Sequence, residues 1–186
     1  MRIRTSRERR ILRFKTVTRW ILYYVLILFS FALMTSGTFL KPVLLLPLAL
    51  AISIGNDLMG SAFTGAFCGM LIDIACGRLF GYNAVLLTIF CVGISLAFDL
   101  YLRSRFINYL WVTAVVSYIQ CWLDYTFYYG IWNYEDVELI YRNTTLKVWV
   151  YTVISSVFIY LLVKLINHFL MPRAHLTIEE AIKTTN

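Results

Sequence analysis

The sequence predicts an all-α membrane protein, a six-transmembrane-helix bundle with both termini cytoplasmic. Three observations carry that expectation. The 186 residues are 60% hydrophobic and only 15% charged, with a mean hydropathy of +0.73, so there is too little polar surface to cover a soluble globule. The apolar residues fall in blocks of about 16 to 25, close to the ~20 that a helix needs to cross ~30 Å of hydrocarbon, and lipid offers no partner for an open backbone, so the blocks must be helices. The cations are asymmetric as well: eight of the 17 precede residue 20, where they act first on topology rather than on nucleic acid, which is not an expected partner.

Residues 1–19 are the basic cytoplasmic segment. Arg2, Arg4, Arg7, Arg9, Arg10, Arg13, Lys15 and Arg19 stand there against a single Glu8, and are expected at the membrane surface against anionic lipid. The first span, about 20–40, begins at Trp20; it is long for the apolar core of a cleaved signal and lacks a small-x-small exit, so it reads as a retained anchor. The second, about 40–55, is short, and Pro42 is expected to start it and Pro47 to kink it, before Asn56 and Asp57 turn the chain. Spans at about 58–76, 82–102, 106–129 and 146–170 follow, separated by Gly77 to Gly81, by Ser104 with Arg105, and by the stretch from Gly130 to Thr145; a cytoplasmic tail occupies 171–186.

With six spans, Arg103, Arg105, Lys164, Arg173 and Lys183 join the eight N-terminal cations inside, and Lys41, Arg78, Arg142 and Lys147 lie outside, as the positive-inside rule requires. Lys164 is expected to snorkel to the inner headgroups. Tyr128, Tyr129, Trp132, Tyr134, Tyr141, Trp149 and Tyr151 mark the outer interface where spans five and six meet it, beside an acidic loop with Glu135, Asp136 and Glu138. Cys68, Cys76, Cys91 and Cys121 all lie in apolar blocks without metal-type spacing, and read as reduced, buried packing residues.

The most specific pattern is a step of four on the third span: Ser61, Gly65, Gly69, Asp73, Gly77 and, beyond the helix end, Gly81. That spacing keeps the residues on nearly one face and makes a groove of small side chains bearing one carboxylate. The groove serves either to pack the span inside its own bundle or to receive a second protein. Asp73 and, on span five, Asp124 are carboxylates inside apolar spans, where each needs water, a donor or a cation. The candidate cations are Lys41, Arg78, Arg142 and Lys147, and a structural role for Asp73 would have it accept from the Gly77 to Gly81 turn or pair with Arg78. Asp99, four residues before Arg103, is explained by a local ion pair.

No catalytic, cofactor-binding or metal site is expected. His168 and His175 are remote from the outer carboxylates, and no GxSxG, HExxH or Walker-type loop occurs. An aspartyl dyad of Asp73 and Asp124 is disfavoured because Gly69-Met70-Leu71-Ile72 precedes Asp73 where a GxGD sequence would be needed.

Gly69-x3-Asp73-x3-Gly77-x3-Gly81, followed by Tyr82-Asn83-Ala84, resembles the signature hairpin of the rod shape-determining protein MreD family. The proline at Pro42 opening a short second span, the Arg-flanked break after the fourth span and the chain length fit the same family. The motif itself covers about residues 60 to 85. A departure lies at Thr144-Thr145-Leu146, where the family often opens its last span with Pro-Thr. The resemblance implies a non-catalytic scaffold of the cell-elongation complex in the bacterial cytoplasmic membrane. Its implied partners are an MreC-type single-span protein, MreB filaments, peptidoglycan synthase components and the lipid bilayer.

A second resemblance is to the substrate-binding membrane subunits of energy-coupling-factor vitamin transporters, which share size, topology and small-residue faces. It implies an outward pocket that Asp73 and Asp124 could line. A tight vitamin site needs several convergent polar groups, and the outer halves of these spans offer few beyond the two aspartates, Asn83, Gln120 and the tyrosines.

Overall fold

The computed structural model describes residues 6–36, 42–77, 79–100, 105–130 and 141–170. Among them the secondary structure is helical, with no strand: α1 Ser6–Thr35, α2 Leu45–Ser53, α3 Leu58–Cys76, α4 Tyr82–Leu100, α5 Arg105–Tyr125 and α6 Leu146–Leu170. A π-helical turn, Thr126–Gly130, extends α5, and another, Tyr141–Thr145, leads into α6. Four stretches are long and apolar enough to cross a membrane: Arg13–Thr35, Leu58–Cys76, Phe106–Tyr128 and Asn143–Leu170. They suggest a membrane-spanning protein.

The outward faces are apolar, unlike those of a soluble bundle. Outward faces carry Phe14, Val17, Ile21, Val25 and Phe29 on α1, Met59, Phe63 and Ile74 on α3, Trp111, Val115 and Trp122 on α5, and Ile154, Phe158 and Leu165 on α6. Met59 is 85% exposed and Trp111 71%. Ser61, Thr64, Asp73, Asn83, Thr113, Gln120, Thr152 and Ser156 are buried instead. Such a surface suits a solvent that is itself apolar. Several interior hydroxyls bond back to their own helix, Thr64 to the Gly60 carbonyl at 2.7 Å, Ser117 to Thr113 at 2.6 Å and Thr152 to Val148 at 2.8 Å, which satisfies them without water.

Contacts at the two ends show how the chain runs. Arg19 of α1 meets Asn56 before α3, Tyr23 meets Asn167 near the close of α6, and Ser95 of α4 donates to the Asn56 carbonyl. This is the basal end. At the opposite, distal end Asp73 of α3 meets Gly81 and Asn83 at the start of α4, and Tyr128 beyond α5 accepts the Leu79 N–H at 3.0 Å. Successive helices therefore alternate in direction, and α1 begins at the same end at which α6 finishes.

The second segment departs from its expected form. Its helix is nine residues, about 13 Å at 1.5 Å per residue, and starts at Leu45, three residues after Pro42. Pro47 lies in the first turn, where a missing N–H breaks no intrahelical bond, so it introduces no kink. Every residue from Leu45 to Ser53 is buried. The Val43 N–H donates to Thr152 Oγ1 at 3.0 Å, and Tyr109 of α5 donates its hydroxyl to the Pro47 carbonyl at 3.0 Å. A short non-helical lead at 42–44, half-buried, is tolerable here because the Val43 N–H finds Thr152 as its partner.

Two further expectations change. Helix α1 starts at Ser6, so the basic segment from there on is helical and continuous with the helix that holds the apolar stretch Arg13–Thr35. Cys68 and Cys91 are buried, but Cys76 is exposed and Cys121 half-buried, because α3 turns only one face inward at its end. Arg2, Arg4, Lys41, Arg78, Arg103, Trp132, Tyr134, Glu135, Asp136, Glu138 and His175 lie outside the described residues, as does the tail from 171.

Candidate functional site

The four-residue row that begins on α3 resolves into four physical roles. At Gly65 an added Cβ would stand 2.8 Å from the Leu87 carbonyl oxygen and 2.9 Å from Thr88 Cα; at Gly69 it would stand 2.5 Å from the Asn83 carbonyl oxygen and 2.6 Å from Ala84 N. All these atoms are α4 backbone. Both glycines are where they are because a side chain would push two helix axes apart, and in lipid close packing of this kind is a main source of helix association. Ser61, fully buried, donates instead to the Ser53 carbonyl at 3.3 Å and ties α3 to α2. Gly77 and Gly81 meet nothing within 4 Å but hold φ of +60° and +98°. They are needed for backbone conformation: Gly77 is the left-handed cap that ends α3, and Gly81 opens α4.

Asp73 closes the hairpin so formed. It is 1% exposed, and its carboxylate receives three donors: the Gly81 N–H at 2.8 Å, the Asn83 N–H at 3.2 Å and the Asn83 side-chain amide at 2.8 Å. Gly81 and Asn83 bracket the first residue of α4, so two of these are the unpaired N–H groups that every helix start presents. A residue of α3 thus caps α4, with its acid at the positive end of the helix dipole. The turn backbone meets the carboxylate as expected; Arg78 lies outside the described residues.

The network continues in a fixed sense. Because Asn83 must turn its NH2 toward the acid, its Oδ1 faces away and accepts the Gln120 amide at 2.7 Å. Gln120 in turn presents Oε1 at the far side, where it finds no hydrogen-bond partner among the described residues. Both amides are buried, Asn83 at 0% and Gln120 at 3% exposed. Gln120 lines a small cleft with Val43, Leu46, Ser117, Cys121, Asp124 and Thr152, which has room for about one water molecule. Asp124, half-buried one turn beyond Gln120, therefore belongs to the α2–α5–α6 side, whereas Asp73 belongs to the α3–α4 seam. The structure brings Ser61, Gly65, Gly69, Asp73, Gly77 and Gly81 into one hairpin and gives Asp124 separate surroundings. The bridge of Asn83 and Gln120 between them was missed in the sequence; the available signal was two amides in apolar spans, a costly placement that asks for a partner.

The hairpin tip carries two exposed apolar side chains on a tethered backbone. Leu79 and Phe80 are 62% and 66% exposed, while the backbone around them is tied to Asp73 on one side and to the Tyr128 hydroxyl on the other. Tyr82 stacks on Phe127 with centroids 5.2 Å apart, adding a third restraint.

At the basal end the cations divide. Arg13 and Lys15 are exposed, as the surface row requires; Arg7, Arg9 and Arg10 follow the same helix, without described side chains. Arg19, expected at the surface with them, is buried at 8% exposure. Its Nη2 donates to Asn56 Oδ1 at 2.9 Å, and its guanidinium lies 5.9 Å from the Tyr23 ring centroid. The reason is helical phase: Arg19 shares its face with Tyr23, Ile27 and Ser30, all buried. Comparison with family models, curated proteins and solved structures finds no match to this chain.

Proposed function

We propose that this chain is an MreD-type, non-catalytic scaffold of a bacterial cell-elongation complex. In this reading it crosses the cytoplasmic membrane six times, with the basal end and both termini in the cytoplasm, and joins an MreC-type single-span protein to MreB filaments and peptidoglycan synthases. The observation that carries the reading is the Asp73-capped hairpin. Gly69, Asp73, Gly77, Gly81 and Asn83, which carry the family resemblance, are the residues that lock α3 to α4 and stiffen the turn bearing Leu79 and Phe80. A scaffold acts by presenting a surface already in its bound shape, because fixing it beforehand removes the ordering cost from association.

The α3 groove is filled by α4, so a partner span docks on the hairpin's outer faces or tip, not between the glycines. The decisive experiment is isolation of the tagged chain from its native membrane under mild detergent. Co-isolation of an MreC-type protein, with loss of rod shape on depletion, supports the scaffold. Recovery of an ATP-driven transporter module or a bound vitamin replaces it with the transporter reading, for which the cleft at Gln120 and Asp124 would have to open well beyond its present size.

A further inference from the structure

Among the described cationic side chains, Arg13, Lys15, Lys147 and Lys164 are exposed and Arg19 is buried. A guanidinium keeps its charge at any physiological pH and offers five N–H donors. Arg19 uses one of them on Asn56, a neutral amide, and leans on Tyr23, a neutral ring; its Nε has no acceptor among the described residues. Among the described side chains the partners of Arg19 are neutral; burying a charge against such partners alone is unfavourable, and an anion is the chemistry that relieves it.

The surroundings supply donors and, on α1, a second positive charge, with the Asp57 carboxylate exposed next to Asn56. Tyr23 donates its hydroxyl to Asn167 Oδ1, which fixes the amide so that its NH2 turns the other way, beside Gly55. Lys15, exposed, stands one helical turn before Arg19 on α1. Phe14, Val17 and Ile21 are exposed on the same stretch of α1, offering an apolar wall beside the cationic one.

We propose that Arg19, with the Asn167 amide and Lys15, seats a single phosphate-type anion at the basal end of the bundle, either the phosphate of a membrane lipid headgroup or free phosphate. The planar guanidinium suits two phosphate oxygens at once. This assigns one of the eight N-terminal cations to a specific site, while the exposed ones act through the surface field. The site rests on the chain being a membrane protein and not on its proposed partners.

The test is thermal unfolding of the full chain, purified in neutral detergent and followed by tryptophan fluorescence, with phosphatidylglycerol, phosphatidylcholine or inorganic phosphate added at matched ionic strength. Wild type is expected to gain about 5 °C with saturating phosphatidylglycerol relative to phosphatidylcholine. R19Q, which keeps a donor for Asn56, loses that difference, and R13Q keeps it. A gain with inorganic phosphate over chloride of the same size assigns the site to the free anion; a gain with phosphatidylglycerol alone assigns it to the headgroup. Equal gains in wild type and R19Q, or no response to either phosphate source, overturn the proposal. Should R19Q not fold, native mass spectrometry of wild type against R19K decides: retained anionic phospholipid or phosphate in wild type, weakened in R19K, supports the site, and its absence from wild type overturns it. Because only the isolated chain is used, failure here is separable from failure to recover a cell-elongation partner.

Discussion

The α3–α4 seam and the α2 core hold helices together by opposite means. Along the seam, Gly65 and Gly69 contribute no side chain, and the α4 backbone fills the space that one would take. Around α2, Leu45, Leu46, Leu48, Leu50 and Ile52 are almost wholly enclosed by side chains of the other helices. The seam is intolerant of added atoms and the core of lost ones, because lipid competes equally for any apolar surface and leaves shape as the source of specificity.

The largest expected effect breaks the seam. G69L forces a side chain into α4 backbone and should cost about 3 kcal/mol or more, seen as loss of a monodisperse peak in detergent and of normal cell shape; L71A, two residues along the helix but only half-buried, serves as the comparison. Equal behaviour of the two would remove close backbone packing from the account. L50A tests the other side. It opens a cavity at a fully enclosed position and should cost about 2–4 kcal/mol, measured by chemical unfolding in mixed micelles.

D73N sharpens the description of the seam's outer end. An amide retains one acceptor for the Asn83 donors but turns its NH2 toward the Gly81 N–H, so a loss of about 1–3 kcal/mol is expected, with D73L worse. Hydrogen exchange at the Gly81 and Asn83 amides reads this directly, and unchanged protection would remove the cap. The smallest effects concern glycines without neighbours. G77A faces open space but a left-handed backbone, and should cost about 1 kcal/mol. G93A, with nothing within 4 Å and an ordinary helical backbone, should be neutral or stabilising by up to about 1 kcal/mol. A large loss at Gly93 would point to a partner helix on that face.

Much of the seam was readable in advance. The four-residue row announced a small-residue face on α3, and a lone acid in it required donors nearby in sequence, which the Gly77 to Gly81 turn supplies. Arg19 was harder, since a cation next to a first span ordinarily faces headgroups, and its burial depends on Asn56 meeting it across the bundle. The second segment misled because two prolines in a short apolar run suggest a kinked span; the helix simply begins late enough for Pro47 to fall in its first turn.

By itself the sequence determined what depends on neighbours along the chain: helices, their apolar outward faces, and a groove at steps of four. Helical period and the thickness of hydrocarbon are enough for that. The tertiary structure alone decided that α4 fills the groove, that Asn83 hands the Asp73 network to Gln120, and that α2 is enclosed on all sides. Those facts join residues far apart in the chain, and such pairings follow from which helix faces meet, a choice that local periodicity leaves open.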